Sequence, residues 1–395
     1  MTLTGAQRKN ALRFIFLLGI VSLFADMTYE GGRSITGPYL SLLGASAATV
    51  GLVSGAGELV GYALRLISGY IADRTRQYWL FTIVGYIINL LAVPLLALAG
   101  RWEVAAILIV VERFGKALRT PSRDVMLSYA TRQVGTGFGF GLHEFMDQIG
   151  AVAGPLIAAF ALYLRSGHYR LAFALLFVPA SLGLLVLLIS RLLYPSPQQL
   201  EVKSASTLSY PAGEKLPLVF WAYIFFTTLT VAGYAHFQLI SYHFKAQNVI
   251  PDAQIPLLFA LAMGVDALVA LPIGKLFDQK GLPVLTLLPL LTLPVPFLVF
   301  SFNYWLALTG VLLWGAAMGI QETVMRAAVA EIIPREKRGL AYGIFNAAYG
   351  AAWFLGSALL GALYTISIPH TILAATSLEL ISLPLLLRIP KLFRS

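Results

Sequence analysis

The chain has 395 residues, of which 58% are hydrophobic and only 12% charged, and its mean hydropathy is +0.79. Soluble domains carry about 25% charged residues, and a globular core of this length could not hide so much apolar side chain from water. Lipid is the expected solvent, spanned by helices of roughly 20 residues that satisfy their own backbone. Cysteine is absent, which excludes a disulfide scaffold and thiolate chemistry. The formal net charge of +10 is spread over short connections between apolar stretches, which speaks against a nucleic-acid partner.

Hydropathy predicts twelve transmembrane helices: 12–36, 47–72, 78–99, 103–125, 135–162, 169–192, 217–244, 255–277, 282–300, 303–331, 338–364 and 369–388. The fold class is therefore an all-α polytopic membrane protein. Arg8, Lys9 and Arg13 lead into the first apolar segment, which runs through Gly37 with no Ala-x-Ala cleavage site. The only long polar connection, 193–216, separates an N-terminal six-helix bundle (1–192) from a C-terminal one (217–395). Lys and Arg gather on alternate connections, from Arg8 and Lys9 through Arg74, Arg76, Arg132, Arg191, Lys203, Lys215, Lys280, Arg335, Lys337 and Arg338 to Lys391 and Arg394. The positive-inside rule then places both termini in the cytoplasm of a cell that carries the chain in its inner or plasma membrane.

On the first helix Asp26, Glu30 and Arg33 follow at spacings of four and three and share one face. Ionisable residues at this depth face protein or a water-filled cavity, so the triplet reads either as a structural network or as part of a translocation path. Glu58 and Arg65, seven apart on the second helix, suit helix–helix contact or function equally. The second helix ends in a charged turn, Gly69-Tyr-Ile-Ala-Asp73-Arg74-Thr-Arg76. A carboxylate at Asp73 can accept hydrogen bonds from a neighbouring helix start or from an arginine. Such a link would exist only while the cytoplasmic ends are close, making the turn a conformational latch; otherwise it is an ordinary cytoplasmic turn. Arg74 and Arg76 would lie at headgroup level.

The fourth helix is the most charged. Glu112, Lys116, Arg119 and Arg123 form one stripe, Arg113 points to one side, Arg123-Asp124 closes the segment, and Thr120-Pro121 permits a bend. On the fifth helix His143 and Asp147 share a face while Glu144 is offset; these groups form either an ion network with the fourth helix or a proton-exchange site. No companion histidine supports a metal site, and no cofactor is expected. Gly150, Gly154 and Pro155 make a closely packed, bendable joint.

The second half is poor in embedded charge, with Asp266, Glu331 and an i,i+4 pair, Glu322 and Arg326, that can satisfy each other. Its seventh helix offers aromatic and polar groups, among them Tyr223, Tyr234, His236, Gln238, Tyr242 and His243. Such a surface suits amphipathic or aromatic organic molecules, although these are also ordinary interface residues. Coupling charge in the first half and substrate recognition in the second is the division this contrast suggests.

The halves align at an offset of 204–205: Gly69 and Asp73 on Gly274 and Asp278, Gly115 on Gly319, Gly135 on Gly339, and Gly139 on Gly343. Two like-oriented halves imply a quasi-two-fold axis along the membrane normal and a path opened alternately to each side. With these residues in view, the sequence resembles the major facilitator superfamily over essentially its whole length. The turn Gly69–Arg76 matches that family's loop motif except at Thr75, where Gly is usual. Arg113-Phe-x-Gly115 looks like its embedded-arginine motif, and Gly150-x-x-x-Gly154-Pro155 like its antiporter motif, with Ala158-Ala159 in place of a trailing Gly pair. The resemblance implies a secondary transporter, a role for Arg113 in proton transfer, and a direction tilted toward export.

The function expected is proton-coupled efflux of small organic or amphipathic molecules by a chain for which a monomer suffices. The alternatives are an importer or a carrier of lipids or organic anions and, more remotely, a non-transporting receptor or a membrane enzyme.

Overall fold

The computed structural model describes residues 5–134, 136–165, 167–200, 216–333 and 338–394. Gly135, Lys203, Lys215, Arg335 and Lys337, and most of the expected linker, lie outside the described residues. The first half comprises α1 (Gly5–Leu42), α2 (Ala47–Thr75), α3 (Tyr78–Leu95), α4 (Trp102–Val134), α5 (Thr136–Leu164), α6 (Tyr169–Leu175) and α7 (Phe177–Leu193). The second comprises α8 (Leu218–Gly233), α9 (Phe237–Ala246), α10 (Gln254–Lys280), α11 (Leu287–Thr292), α12 (Val295–Val299), α13 (Tyr304–Ile320), α14 (Arg326–Ile332), α15 (Arg338–Ile366) and α16 (Ile368–Arg394). Eleven stretches of helix among the described residues are long and apolar enough to cross a membrane. The charge-rich α4 is a further helix of spanning length.

Four expected spans are not continuous helices. The sixth breaks at Leu176, because Pro179 has no N–H for the carbonyl of Leu175. The seventh breaks over Tyr234–His236, where side chains replace the lost ladder: the Trp314 indole donates to the Ala235 carbonyl at 2.9 Å, and the Tyr234 hydroxyl to the Trp314 carbonyl. The ninth carries Pro283, Pro289, Pro294 and Pro296, and it forms a 3₁₀ turn (Leu282–Thr286) followed by the short α11 and α12. The tenth is interrupted by a π-helical turn, Gln321–Met325, between α13 and α14.

The described residues form two compact units. One comes from Met1–Arg33 and Ala63–Ser209, the other from Ser34–Tyr62 and Tyr210–Ser395, so α1 and α2 each contribute to both. In the first unit, glycines bring backbones together. A Cβ at Gly154 would strike the Met27 carbonyl of α1, and one at Gly150 the Leu23 carbonyl. Between α3 and α4, a Cβ on Gly85 would come within 2.6 Å of the Arg119 nitrogen, and one on Gly115 would meet the Asn89 nitrogen. Phe14, Trp79, Tyr86, Leu90, Met126 and Leu127 pack into an apolar core at one end of this unit.

In the second unit, Gly37 of α1 packs on the Gln238 carbonyl, and Gly51 and Gly55 of α2 pack on Ser357 and Phe354 of α15. Rings fill much of the rest. Tyr234 stacks on Trp314 at 5.5 Å, and His243 bonds Tyr364 at 2.8 Å beside Phe300.

The repeat has counterparts in both units. A Cβ on Gly69 would stand 3.3 Å from Pro121 of α4, and one on Gly274 would stand 3.4 Å from Thr323 in the π turn. At the end of the turn, Arg76 (φ 54°) and Gly281 (φ 65°) lie at the repeat offset and both have positive φ. The positive φ recurs although the residue differs, so Arg76 carries a strain that Gly281 avoids.

Arg76→Gly should raise stability by about 1 kcal/mol. Gly281→Ala should lower it, because its Cβ would also lie 2.7 Å from the Glu331 carboxylate. Thermal unfolding in detergent reads both. By the same assay Gly154→Leu should cost about 1–3 kcal/mol or more by overpacking, whereas Gly141→Ala, with nothing within 4 Å of its Cβ, should be neutral or stabilising.

Candidate functional site

The first unit buries a connected set of charges drawn from α1, α4 and α5. At one end, Glu112 of α4 accepts from the Asn89 amide at 2.6 Å and pairs with Arg113 at 3.2 Å; both charged residues are more than nine-tenths buried. Asn89 also donates to the Glu112 backbone carbonyl, so the glycine-mediated approach of α3 to α4 delivers the amide that holds this carboxylate. On α1, Arg33 pairs with Glu30 at 3.3 Å.

One turn along α4, Lys116 stands over the Tyr29 ring at 3.9 Å, and its charge faces Asp26 and Glu30. Arg119, 1% exposed, lies 4.2 Å over the Tyr86 ring, with Tyr29 also near; its Nε and Nη1 have no hydrogen-bond partner. Cation–π contact and the field of Asp26 compensate a guanidinium that few donor–acceptor bonds hold. Further along, Arg123 bonds Asp124 at 2.8 Å and donates to the Ser22 hydroxyl at 3.0 Å. Ser22 also contacts Tyr86 at 3.3 Å and His143 Nε2 at 3.1 Å, and the same Nε2 lies 3.7 Å from Asp147. Asp147 feels the charges of Asp26, Arg119 and Arg123.

Contacts run from Arg119 through Tyr86 and Ser22 to Arg123, His143 and Asp147, and Asp26 joins them through its charge, so the charged members draw on three helices. The sequence-predicted stripe of α4 is brought against α1 and α5 as one network. Glu144 is exposed and accepts from the Gln148 amide at 3.5 Å, and its charge also acts on Asp147. Gly150 and Gly154 form the α1–α5 crossing beside this network, with Pro155 inside α5. Asn89, Ser22, Tyr29 and Tyr86 escaped sequence reasoning, being ordinary polar residues within apolar runs.

In the second unit a small recess beside the π turn, with an enclosed volume of about 10 Å³, is lined by Tyr62, Gln321, Glu322, Arg326, Phe345, Asn346 and Tyr349. The wide turn spreads Gln321, Glu322 and Arg326 along one wall, and π turns of this kind recur at functional sites. Opposite stand Phe345, Asn346 and Tyr349 of α15, with Tyr62 and Tyr349 edge to face at 5.4 Å. The recess combines both signs of charge, two amides and three aromatic rings. Of the expected contact residues, Glu322 and Arg326 line it. Tyr234, His236 and Gln238 are buried at the α8–α9 break, where His236 approaches Glu58 at 3.5 Å and packs on Trp353. Asp266, buried on α10, sits against Gly319. The embedded acid that sequence reasoning missed is Glu379, fully buried and the sole acidic residue of α16.

At the charged turns, Asp73 accepts from the Tyr78 hydroxyl at 3.1 Å, across the turn to the start of α3, and Arg74 reaches the Tyr70 hydroxyl at 3.4 Å. Arg76 and Asp278 are exposed. Among the described residues no group of three or more His, Asp or Glu side chains could hold a metal ion.

The family model of the Major Facilitator Superfamily matches residues 17–357 and 240–392. An uncharacterized protein of Mycobacterium tuberculosis is 41% identical over 394 residues, 98% of this chain and 96% of that protein. An uncharacterized transporter of the same superfamily type from Methanocaldococcus jannaschii is 26% identical over 386 residues, 94% of each. Among solved structures, the nucleoside transporter NupG superposes with a TM-score of 0.72 at 14% identity, covering 97% of this chain and 99% of that one. A POT family transporter in complex with a thioalcohol-conjugated peptide gives 0.75 at 14% identity, covering 96% of each. At these identities the likeness is one of fold. The chain belongs to the Major Facilitator Superfamily.

Glu112→Ala would leave Arg113 and the Asn89 amide without their shared acceptor. It should cost about 3–5 kcal/mol, as for other broken buried pairs. Glu112→Gln, which still accepts from Asn89, should cost less. Chemical unfolding in detergent would reveal the difference.

Proposed function

We propose that the protein is a secondary active transporter working by alternating access, and that it exports small organic molecules in exchange for protons. The observation that carries this reading is the buried network linking Asp26 of α1, Arg119 and Arg123 of α4, and His143 and Asp147 of α5. A carboxylate whose cationic partner moves away changes its affinity for H⁺. A network spanning three helices therefore converts helix displacement into proton binding and release. The incompletely bonded Arg119 can exchange one carboxylate for another without breaking strong hydrogen bonds.

Substrate recognition is assigned to the recess at the π turn. Its rings suit an apolar or aromatic body, while Glu322, Arg326 and the amides of Gln321 and Asn346 suit a polar or zwitterionic group. The packing of Gly37, Gly51 and Gly55 within the second unit supports a seal on the non-cytoplasmic side, given the orientation expected from Lys and Arg. Asp73 and Asp278 are read as latch residues of the cytoplasmic turns, and Gly150, Gly154 and Pro155 as a tight joint that limits ion leakage beside the network. The fold shared with transporters of nucleosides and peptides is consistent with a polar organic cargo.

Purified protein in liposomes, tested with organic solutes under an imposed pH gradient, should concentrate substrate on the acidic side. Accumulation driven the opposite way would make it an importer. Asp147→Asn and Asp26→Asn should abolish gradient-driven accumulation yet retain substrate exchange at equal pH; undiminished accumulation in both would overturn the coupling assignment. Tyr349→Ala should weaken substrate affinity about ten-fold, the order expected for one aromatic contact of 1–1.5 kcal/mol, and leave coupling intact.

A further inference from the structure

Glu379 lies on α16, which packs against α8, α11, α12 and α15. Its side chain is fully buried, and neither carboxyl oxygen has a hydrogen-bond partner. Among the described residues the hydrogen-bonding side chain that acts on it is Thr292, whose hydroxyl faces the carboxyl without completing a hydrogen bond. Among the described residues, no Lys, Arg or His compensates its charge. An isolated carboxylate in an apolar interior is among the most costly groups a fold can hold. In the first unit every comparable acid has a cation nearby. Here no described side chain supplies that charge.

The surroundings favour such a charge. Glu379 stands where two helices stop. Gly233 is the last residue of α8, and a Cβ there would lie 3.3 Å from the Glu379 Cγ. Thr292 is the last residue of α11, and the following Pro294 and Pro296 bring no N–H to the carbonyls of Leu290 and Thr292. A helix C-terminus presents carbonyl oxygens and partial negative charge, which repels a bare carboxylate and attracts a cation. Interrupted membrane helices use such ends to coordinate small ions. Two further hydroxyls lack partners: Thr230, one turn before Gly233, and Thr376, one turn before Glu379.

We propose that Glu379 anchors a site for one small monovalent cation, a proton or Na⁺, enclosed by the interrupted ends of α8 and α11. The Thr292 hydroxyl and helix-end carbonyls supply the further oxygens. This site is separate from the network on α4 and does not require that network to couple transport. Of the ionisable side chains on the elements packed against it, Tyr234, at the end of α8, feels the charge of Glu379; α11, α12 and the Leu282–Thr286 turn carry none.

The test uses the full-length protein in detergent and needs neither substrate nor gradient. Dicyclohexylcarbodiimide, which reacts with protonated carboxyls in apolar surroundings, is applied across a pH series in NaCl or choline chloride, and the adduct is located by mass spectrometry. A modified Glu379 that disappears as pH rises, regardless of Na⁺, identifies a proton site. Suppression of the adduct by NaCl but not by choline chloride, with a higher Tm in NaCl that E379Q lacks, identifies a Na⁺ site. An unmodified Glu379 at every pH, with no difference between wild type and E379Q in the response of Tm to pH or Na⁺, would overturn the proposal. So would modification indifferent to both. If E379Q does not fold, labelling of the native protein decides alone.

Discussion

Burying charge away from water without leaving it uncompensated is the constraint on which this molecule is built. The first unit meets it by bringing backbones unusually close. Because Gly85 and Gly115 let α3 lie against α4, the Asn89 amide reaches Glu112 and the Tyr86 ring lies beneath Arg119. Because Gly150 and Gly154 let α5 lie against α1, His143 reaches Ser22. The glycines and the charges are parts of one arrangement: larger residues at the crossings would separate each ion from what stabilises it.

The second unit meets the same constraint differently. It interrupts its helices and repairs them with side chains, as when the Trp314 indole and the Tyr234 hydroxyl serve the break between α8 and α9. The result is an interior of rings and helix ends with few cations, beside a recess where both signs of charge meet water. One unit buries most of the embedded charge, and the other is rich in rings and interrupted helices.

Much of this was legible in the sequence, for physical reasons. The α4 stripe and the His143/Asp147 spacing follow from the 3.6-residue period, and the structure brings them together with Asp26. Twelve spans follow from hydropathy, but their continuity does not. Four prolines between 283 and 296 could have warned of a broken ninth span, whereas the Tyr234–His236 break is set by Trp314, eighty residues away in the chain. Glu379 was overlooked because a lone acid in a long apolar run leaves no pattern. The positive φ shared by Arg76 and Gly281 was hidden because the residue that suits it stands at only one of the two positions. His236, read as a possible substrate contact, is buried beside Glu58 and Trp353.

The π turn at Gln321–Met325 has an evolutionary reading as well. An expanded turn is an α-helix carrying one surplus residue, and each residue turns the helix by about 100°. A lineage that lost a single residue here would straighten the tenth span, swing Arg326 and all of α14 away from the recess, and oblige α14 to repack against α8 and α15. Cargo preference within the family could in this way shift by insertion or deletion rather than by exchange of side chains, and length differences at this position would mark where relatives have parted ways.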